Sequence, residues 1–551
     1  MLYLFRMMKR TRYLFGRSSR GAALCAGAIW LLATGLAATA AAAITVRVSP
    51  ARAAVTTSQS QPFAAVVTGD PQNLGVTWSV DGTNGGNPTS GTIDANGSFT
   101  PGTQIGVHTV TATSVADNTS NASATVAVTD LTGVFTYHND KQRTGVNAQE
   151  YALSPAAVNP SSFGKLFSCP LDGPGYVYAQ PLYVANLTLG DGKKHNVVYV
   201  ATESDWVYAY DADSSSCQQI WHTRVFQAGE STVSAADTGV LDDLVPEIGV
   251  TSTPVIDPAT STLYVCAKSK DANSNYHHRL YALDLVTGAA KLGSPIEIAA
   301  ANFVPLRQLQ RPGLLLNGGT LYLAFGSHGD IDPYQGWLIA YDTSPPTLTQ
   351  KFAWSSVDAT SGSNRGGIWG AGNGPAVDAS GNLYVATGNG TFDANVGGIN
   401  YADSVVKLSP NGTVADYFAP GNQATLNASD LDLGSSGVIV LPDALGSSNH
   451  PHLALAAGKP GLLYLLDRGA LGGYHSGGPD QVVQEVAVHP NTVTNPDRGI
   501  FGEAAVWAGN LYVTSVRDPL WQFTIANGAI STAAQSQSAN SFGFRGATPA
   551  V

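Results

Sequence analysis

Short apolar runs separated by polar, turn-rich stretches recur along most of the chain. The regular unit is an apolar strand centred on Tyr, a polar loop, and a second apolar strand that usually closes on Asp. It occurs as Val198-Tyr199-Val200 with Tyr208-Ala209-Tyr210-Asp211, and as Leu263-Tyr264-Val265 with Leu280-Tyr281-Ala282-Leu283-Asp284. Four further copies centre on Tyr322, Tyr384, Ala454 and Tyr512, giving spacings of 65, 58, 62, 70 and 58 residues. A unit of this length holds four short strands, and a radial repeat of such units predicts an all-β chain built around a β-propeller.

Each unit opens on a strand behind a small residue or Pro, as in Thr253-Pro254-Val255-Ile256 and Gly374-Pro375-Ala376-Val377. These are the expected inner strands, where small residues let the blades crowd the axis. Thr548-Pro549-Ala550-Val551 repeats that opening. The expectation is therefore seven blades, the last one cut short in this chain, with Lys165-Leu166-Phe167-Ser168-Cys169-Pro170 as the outer strand that closes the ring.

Two segments precede the propeller, which is placed at 131–551. Residues 1–43 hold six basic and no acidic residues, then an uncharged run from Gly21 to Ala43 that ends in small residues. This pattern predicts an export signal, with an uncleaved membrane anchor as the alternative. From 44 to 129 the text changes to short alternating strands such as Val76-Thr77-Trp78-Ser79-Val80 and His108-Thr109-Val110-Thr111-Ala112-Thr113, which predict a β-sandwich. Together with Gly97-Ser98-Phe99-Thr100-Pro101, these phrases resemble bacterial immunoglobulin-like group 2 domains. The resemblance implies a non-catalytic spacer or adhesive stalk on an exported protein, placed in the periplasm, on the cell surface or outside the cell.

Charge narrows the partners. Without the leader, 22 basic residues face 39 acidic ones, a net charge near −17. Such an acidic chain argues against nucleic acid or anionic lipid as partner. Cys169, Cys217 and Cys266 remain, and an oxidising compartment allows a disulfide between two of them.

The stretch Arg279-Leu280-Tyr281-Ala282-Leu283-Asp284-Leu285-Val286-Thr287-Gly288 resembles the repeat of pyrroloquinoline-quinone-type propellers. The wider run from Tyr137-His138-Asn139-Asp140 to Ala386-Thr387-Gly388-Asn389-Gly390 resembles secreted bacterial members of that quinoprotein-like superfamily. The resemblance implies fold more than activity, because such repeats occur both in quinoprotein dehydrogenases and in scaffolds that assist outer-membrane assembly. Quinoprotein alcohol dehydrogenases usually carry adjacent cysteines over the cofactor, a calcium site, and eight blades. No two cysteines are adjacent here, and the count gives seven blades, so bound quinone is not expected.

Loop length marks one face. Loops between first and second strands are tight, whereas those between second and third strands are long, as at Gly326–Gly336 and Thr387–Asp403, and so are the approaches to the inner strands. Both long sets share one end of a propeller, at the mouth of its central channel, which is the default ligand site. The ligand-face candidates are Glu247, Arg311, His328, Asp330, Arg365, Trp369, Asn389, Asp393, Asp403 and Arg498. Asp330 with Asp332, and Asp430 with Asp432, are candidate calcium ligands, although Asp also caps turns in any Gly-rich loop. His328 would serve as a base beside Glu247, or as a brace for its loop. Trp369 would stack a ligand ring or plug the space between blades. No Gly-x-Ser-x-Gly elbow, Walker loop or His-Glu-x-x-His pair occurs. The expected role is a binding module for a glycan, peptide or envelope protein, with a quinoprotein-type enzyme and a non-catalytic assembly scaffold as the alternatives.

Overall fold

The computed structural model describes residues 43–551 except 161–162, 172–174, 242–243, 359, 361–364 and 490–497. The expected export signal lies outside the described residues. Among those described, no helix is long and apolar enough to cross a membrane.

Six antiparallel four-stranded blades follow one another along the chain. Blade 1 is Leu182–Thr188, Lys194–Ala201, Trp206–Asp211 and Gln219–Arg224. Blade 2 is Val255–Asp257, Thr262–Lys270, Tyr276–Asp284 and Ile296–Glu297. Blades 3 to 6 repeat the order from inner strands Leu315–Asn317, Ala376–Val377, Val438–Val440 and Ala505–Trp507. The repeated tyrosines explain the packing. Tyr199, Tyr264, Tyr322 and Tyr384 are buried in the clusters that join blade to blade. Tyr199 Oη and Trp221 Nε1 each donate to Leu285 O of the next blade, both at 2.9 Å. Gly288 (φ 70) lies under the Trp221 ring, where a Cβ would come within 2.7 Å of it. Asp284 Oδ1 accepts from the backbone of Val286 and Thr287. The Asp and Gly of the repeat are therefore turn and packing devices.

Hydrophobic clusters join blades 1 to 2, 2 to 3, 3 to 4, 4 to 5 and 5 to 6, and among the described residues none joins 6 to 1. Val551 lies in a seventh inner position, exchanging hydrogen bonds with Gly145 and Asn147. The closing strand expected at Lys165–Pro170 does not form. Leu166 is 92% exposed, and this stretch is tied instead to blade 1 by a Cys169–Cys217 disulfide. Without an apolar neighbour to cover it, the segment has no reason to pair. Cys266 is free and buried.

A strap formed by residues 132–147 runs across the plain face and touches every inner strand. Residues 133–134 pair with Val184 and Tyr183 of blade 1. The carbonyls of Phe135, Lys141, Gln142 and Thr144 accept from Ile256, Val377, Val440 and Val506, of blades 2, 4, 5 and 6. Blade 3 is reached through Arg143, which is fully buried at the axis. Its guanidinium donates to Leu314 O and Pro375 O, both at 3.3 Å, and to Thr136 Oγ1 at 2.8 Å. The strap closes the central channel from below.

The N-terminal strands form a β-sandwich as expected. A five-stranded and a four-stranded sheet enclose Val55, Trp78, Val80, Phe99, Val110 and Val126. The sandwich meets blade 1 through polar contacts. Gln59 donates to Asp213 at 2.9 Å, and Thr56 to Asn186 at 2.8 Å.

Candidate functional site

The long loops converge on the open end of the channel, opposite the strap. Two adjoining cavities of about 240 and 280 Å³ occupy it and share Leu309, Arg311 and Arg545. The first is walled by Asp330, Trp369, Asp430, Asp432, Lys459 and Phe501, and the second by Tyr178, Leu244, Thr251 and Ala371. Larger grooves of about 700 Å³ on the plain face and 620 Å³ on the rim between blades 3 and 4 are more apolar, whereas the mouth brings charges of both signs together. Non-glycine residues with positive φ gather beside the mouth: Arg365 (81), Ala371 (47), Asp403 (47), Asp430 (54) and Arg545 (87). Such strain persists only where the surroundings over-determine it.

Of the expected residues, Arg311, Asp330 and Trp369 line the mouth, as do Asp430 and Asp432. Arg365 and Asn389 stand behind them in one polar chain. Arg365 pairs with Asp330 at 3.6 Å and Asp332 at 3.2 Å. Asn389 donates its side-chain amide to Asp330 at 3.2 Å and its backbone N–H to Asp432 at 2.8 Å. Lys459 then bridges Asp432 at 2.5 Å and Asp430 at 2.9 Å. The two aspartate pairs expected to hold calcium thus each close on a cation of the chain itself, which already supplies the balancing charge. Among the described residues no three His, Cys, Asp or Glu side chains converge as metal ligands. Asp403 is buried beside this chain, and burial together with the Asp432 charge raises its carboxyl well above the usual range.

The other candidates lie away from the cavity. His328 is buried, with Nε2 2.6 Å from Lys268 Nζ, which also donates to Leu306 O and Gln308 O. Three groups thereby surround the Lys268 amine, and His328 serves as a brace between blades. Glu247 accepts from Thr232 at 2.7 Å. Asp393 holds its own loop through Asn400, and Arg498 pairs with Asp518 at 2.6 Å. Trp369 is half-buried, donates to Ser327 O at 3.1 Å, and packs on Gly326 and Gly367. It is an inter-blade plug with one edge in the cavity.

Beneath the mouth lies Glu503, whose carboxylate accepts from Asn373 at 2.6 Å and Gly437 N at 3.0 Å. Burial pushes its pKa up to about 8. Burial and the nearby Glu503 charge push the Tyr137 phenol up to about 12. The sequence reading missed Lys459, Phe501 and Arg545. Arg545 had a local signal, a basic residue beside Phe544 between Gly543 and Gly546. Lys459 and Phe501 had none.

No family model and no curated protein matches this chain. Among solved structures it is similar to the quinohemoprotein alcohol dehydrogenase ADHIIG from Pseudomonas putida HK5, at 16% identity and TM-score 0.48, covering 71% of this chain and 58% of that one. It is similar to the corresponding Comamonas testosteroni enzyme at 18% and 0.47, covering 71% and 59%. It is also similar to BamB from Moraxella catarrhalis at 13% and 0.34, covering 67% and 83%. The chain thus spans under two thirds of the first two proteins. At these scores the propeller assignment rests on its own strand order. Among the described residues the Cys169–Cys217 disulfide joins residues 48 apart in sequence, and the mouth aspartates are paired with Lys459 and Arg365.

Proposed function

We propose that this is an exported binding protein. Its sandwich, which resembles a bacterial immunoglobulin-like group 2 domain, acts as a spacer, and its propeller presents the mouth cavity to a small polar ligand or the end of a glycan or peptide. One observation carries the reading. The cavity is blind, closed below by the strap, and its acidic side chains are neutralised by the chain while aromatic and basic groups stay open to it. Such a lining is suited to holding a solute, and among the described residues it offers no nucleophile placed beside a base.

The test is a thermal-shift and calorimetric screen of sugars, sugar acids and short peptides, since a ligand selective for the folded state raises the Tm. Saturable binding that is lost in Trp369→Ala supports the reading. A Tm rise with pyrroloquinoline quinone and Ca²⁺, together with alcohol-dependent reduction of an added acceptor, overturns it in favour of an enzyme.

A second reading, an envelope assembly scaffold, is favoured by the exposed Phe163, Leu166, Tyr176, Tyr178, Phe542 and Phe544, since apolar surface of this kind marks docking sites. Loss of membrane-fraction binding in Leu166→Ser and Phe542→Ser variants, with cavity binding intact, would favour that role.

A further inference from the structure

Resting on the binding-protein reading, we infer that the mouth takes an acidic saccharide, anchored through its anionic group by Arg545. The argument begins with charge. Acidic residues outnumber basic ones in this chain, and three neighbouring cations are paired: Arg365 with Asp330 and Asp332, Lys459 with Asp430 and Asp432, Arg498 with Asp518, while Arg311, the second guanidinium lining both cavities, interacts with the Tyr137 phenol below. Arg545 is exposed at the junction of both cavities and makes no hydrogen bond or ion pair among the described residues.

Its position is nevertheless fixed. The guanidinium carbon lies 4.8 Å from the ring centroids of both Phe501 and Phe544, and the residue holds φ 87. Aromatic faces orient the planar group and leave its N–H fork unspent. A fork of this geometry matches a carboxylate or phosphate with two parallel hydrogen bonds. The Trp369 edge and the Tyr178 and Phe501 rings give the rest of a ring-shaped ligand apolar surface, while exposed Asp330 and Asp430 offer acceptors to hydroxyl groups. The two cavities together are of the size that small ligands occupy. A neutral sugar would leave Arg545 unused, and a cation would meet carboxylates already held by Arg365 and Lys459.

The experiment is calorimetric titration of the full chain at neutral pH and low salt with glucuronate, galacturonate, glucose 6-phosphate and glucose. Binding of a uronate at least tenfold tighter than glucose, weakened at least tenfold in Arg545→Ala and partly restored in Arg545→Lys, is the expected result. Tighter binding of the phosphate than of either uronate assigns the anchor to phosphorylated sugars and overturns the uronate arm. Glucose binding equal to uronate, or unaltered uronate affinity in Arg545→Ala, overturns the inference and leaves the binding reading standing. No binding of any of the four overturns the inference, and failure of the peptides and remaining sugars of the wider screen as well would bring down the binding reading itself. A melting curve of each variant within about 2 °C of the parent separates lost contact from lost fold.

Discussion

Asp205 adopts a left-handed turn conformation (φ 58) with no exposed surface, and neither of its carboxylate oxygens has a hydrogen-bond donor among the described residues. Burial, with Glu203 and Glu247 adding to it, raises its pKa well above the usual value. A carboxyl raised in the folded state contributes stability that is fully present below its unfolded pKa and is lost as pH rises through the folded one. Asp205→Asn keeps the shape and suits the positive φ better. It is expected to raise the Tm at pH 8, with little gain at pH 4, as differential scanning calorimetry would show. Glu503 follows the same sign, with its window running from about 4.5 to 8. Glu503→Gln is expected to remove a slope of up to about 1.4 kcal/mol per pH unit across that window. Parallel melts of parent and variant from pH 5 to 8 should therefore diverge in the variant's favour. A slope unchanged by the substitution would mean that Glu503 is already ionised at neutral pH.

At the scale of elements, Arg143 ties the strap to the entries of blades 3 and 4. Arg143→Met leaves the carbonyls of Pro375 and Tyr137 without that donor, while Leu314 O keeps Thr136 Oγ1, at about 1–3 kcal/mol for each unsatisfied group. We expect a loss of about 3 kcal/mol, measurable by urea unfolding. The Cys169–Cys217 bridge closes a 48-residue separation, for which chain entropy gives about 4 kcal/mol. Because residues 163–168, on the near side of the bridge, are exposed, its reduction is expected to act locally. Limited proteolysis of a Cys217→Ser variant should cut within residues 163–170 before the blades unfold. The blades themselves were legible because buried Tyr, turn Asp and Gly recur at a fixed period, so Asp284 and Gly288 announce their roles one by one. The strap was not legible. It has no repeat, and most of its bonds are made by backbone carbonyls, which carry no side-chain signature. Lys165–Pro170 misled because its apolar alternation is that of a strand, while strand formation needs a neighbour that it does not have.

For the molecule as a whole, the polar junction at Gln59, Thr56, Asn186 and Asp213 predicts separability. A chain beginning at Thr129 is expected to keep its near-ultraviolet spectrum and its Tm within a few degrees. One beginning at Gln149 loses the strap and is expected to lose cooperative unfolding. Loop lengths pointed to the end of the propeller where the mouth cavity lies, and Arg311, Asp330 and Trp369 line it. Phe501, Lys459 and Arg545 were not foreseen, because the mouth is assembled from several blades and only the ring brings them together. The strap also sets the order of events during synthesis. It leaves the ribosome ahead of all six blades, yet its carbonyls find their donors only when strands as distant as Val506 and Val551 have been made. His138 and Pro549, hydrogen-bonded at 2.9 Å, are 411 residues apart. The first part of the propeller to be translated is thus the last to be satisfied. Contacts of such separation slow folding, so the strap cannot be completed before residues as late as Val506 and Pro549 have been made.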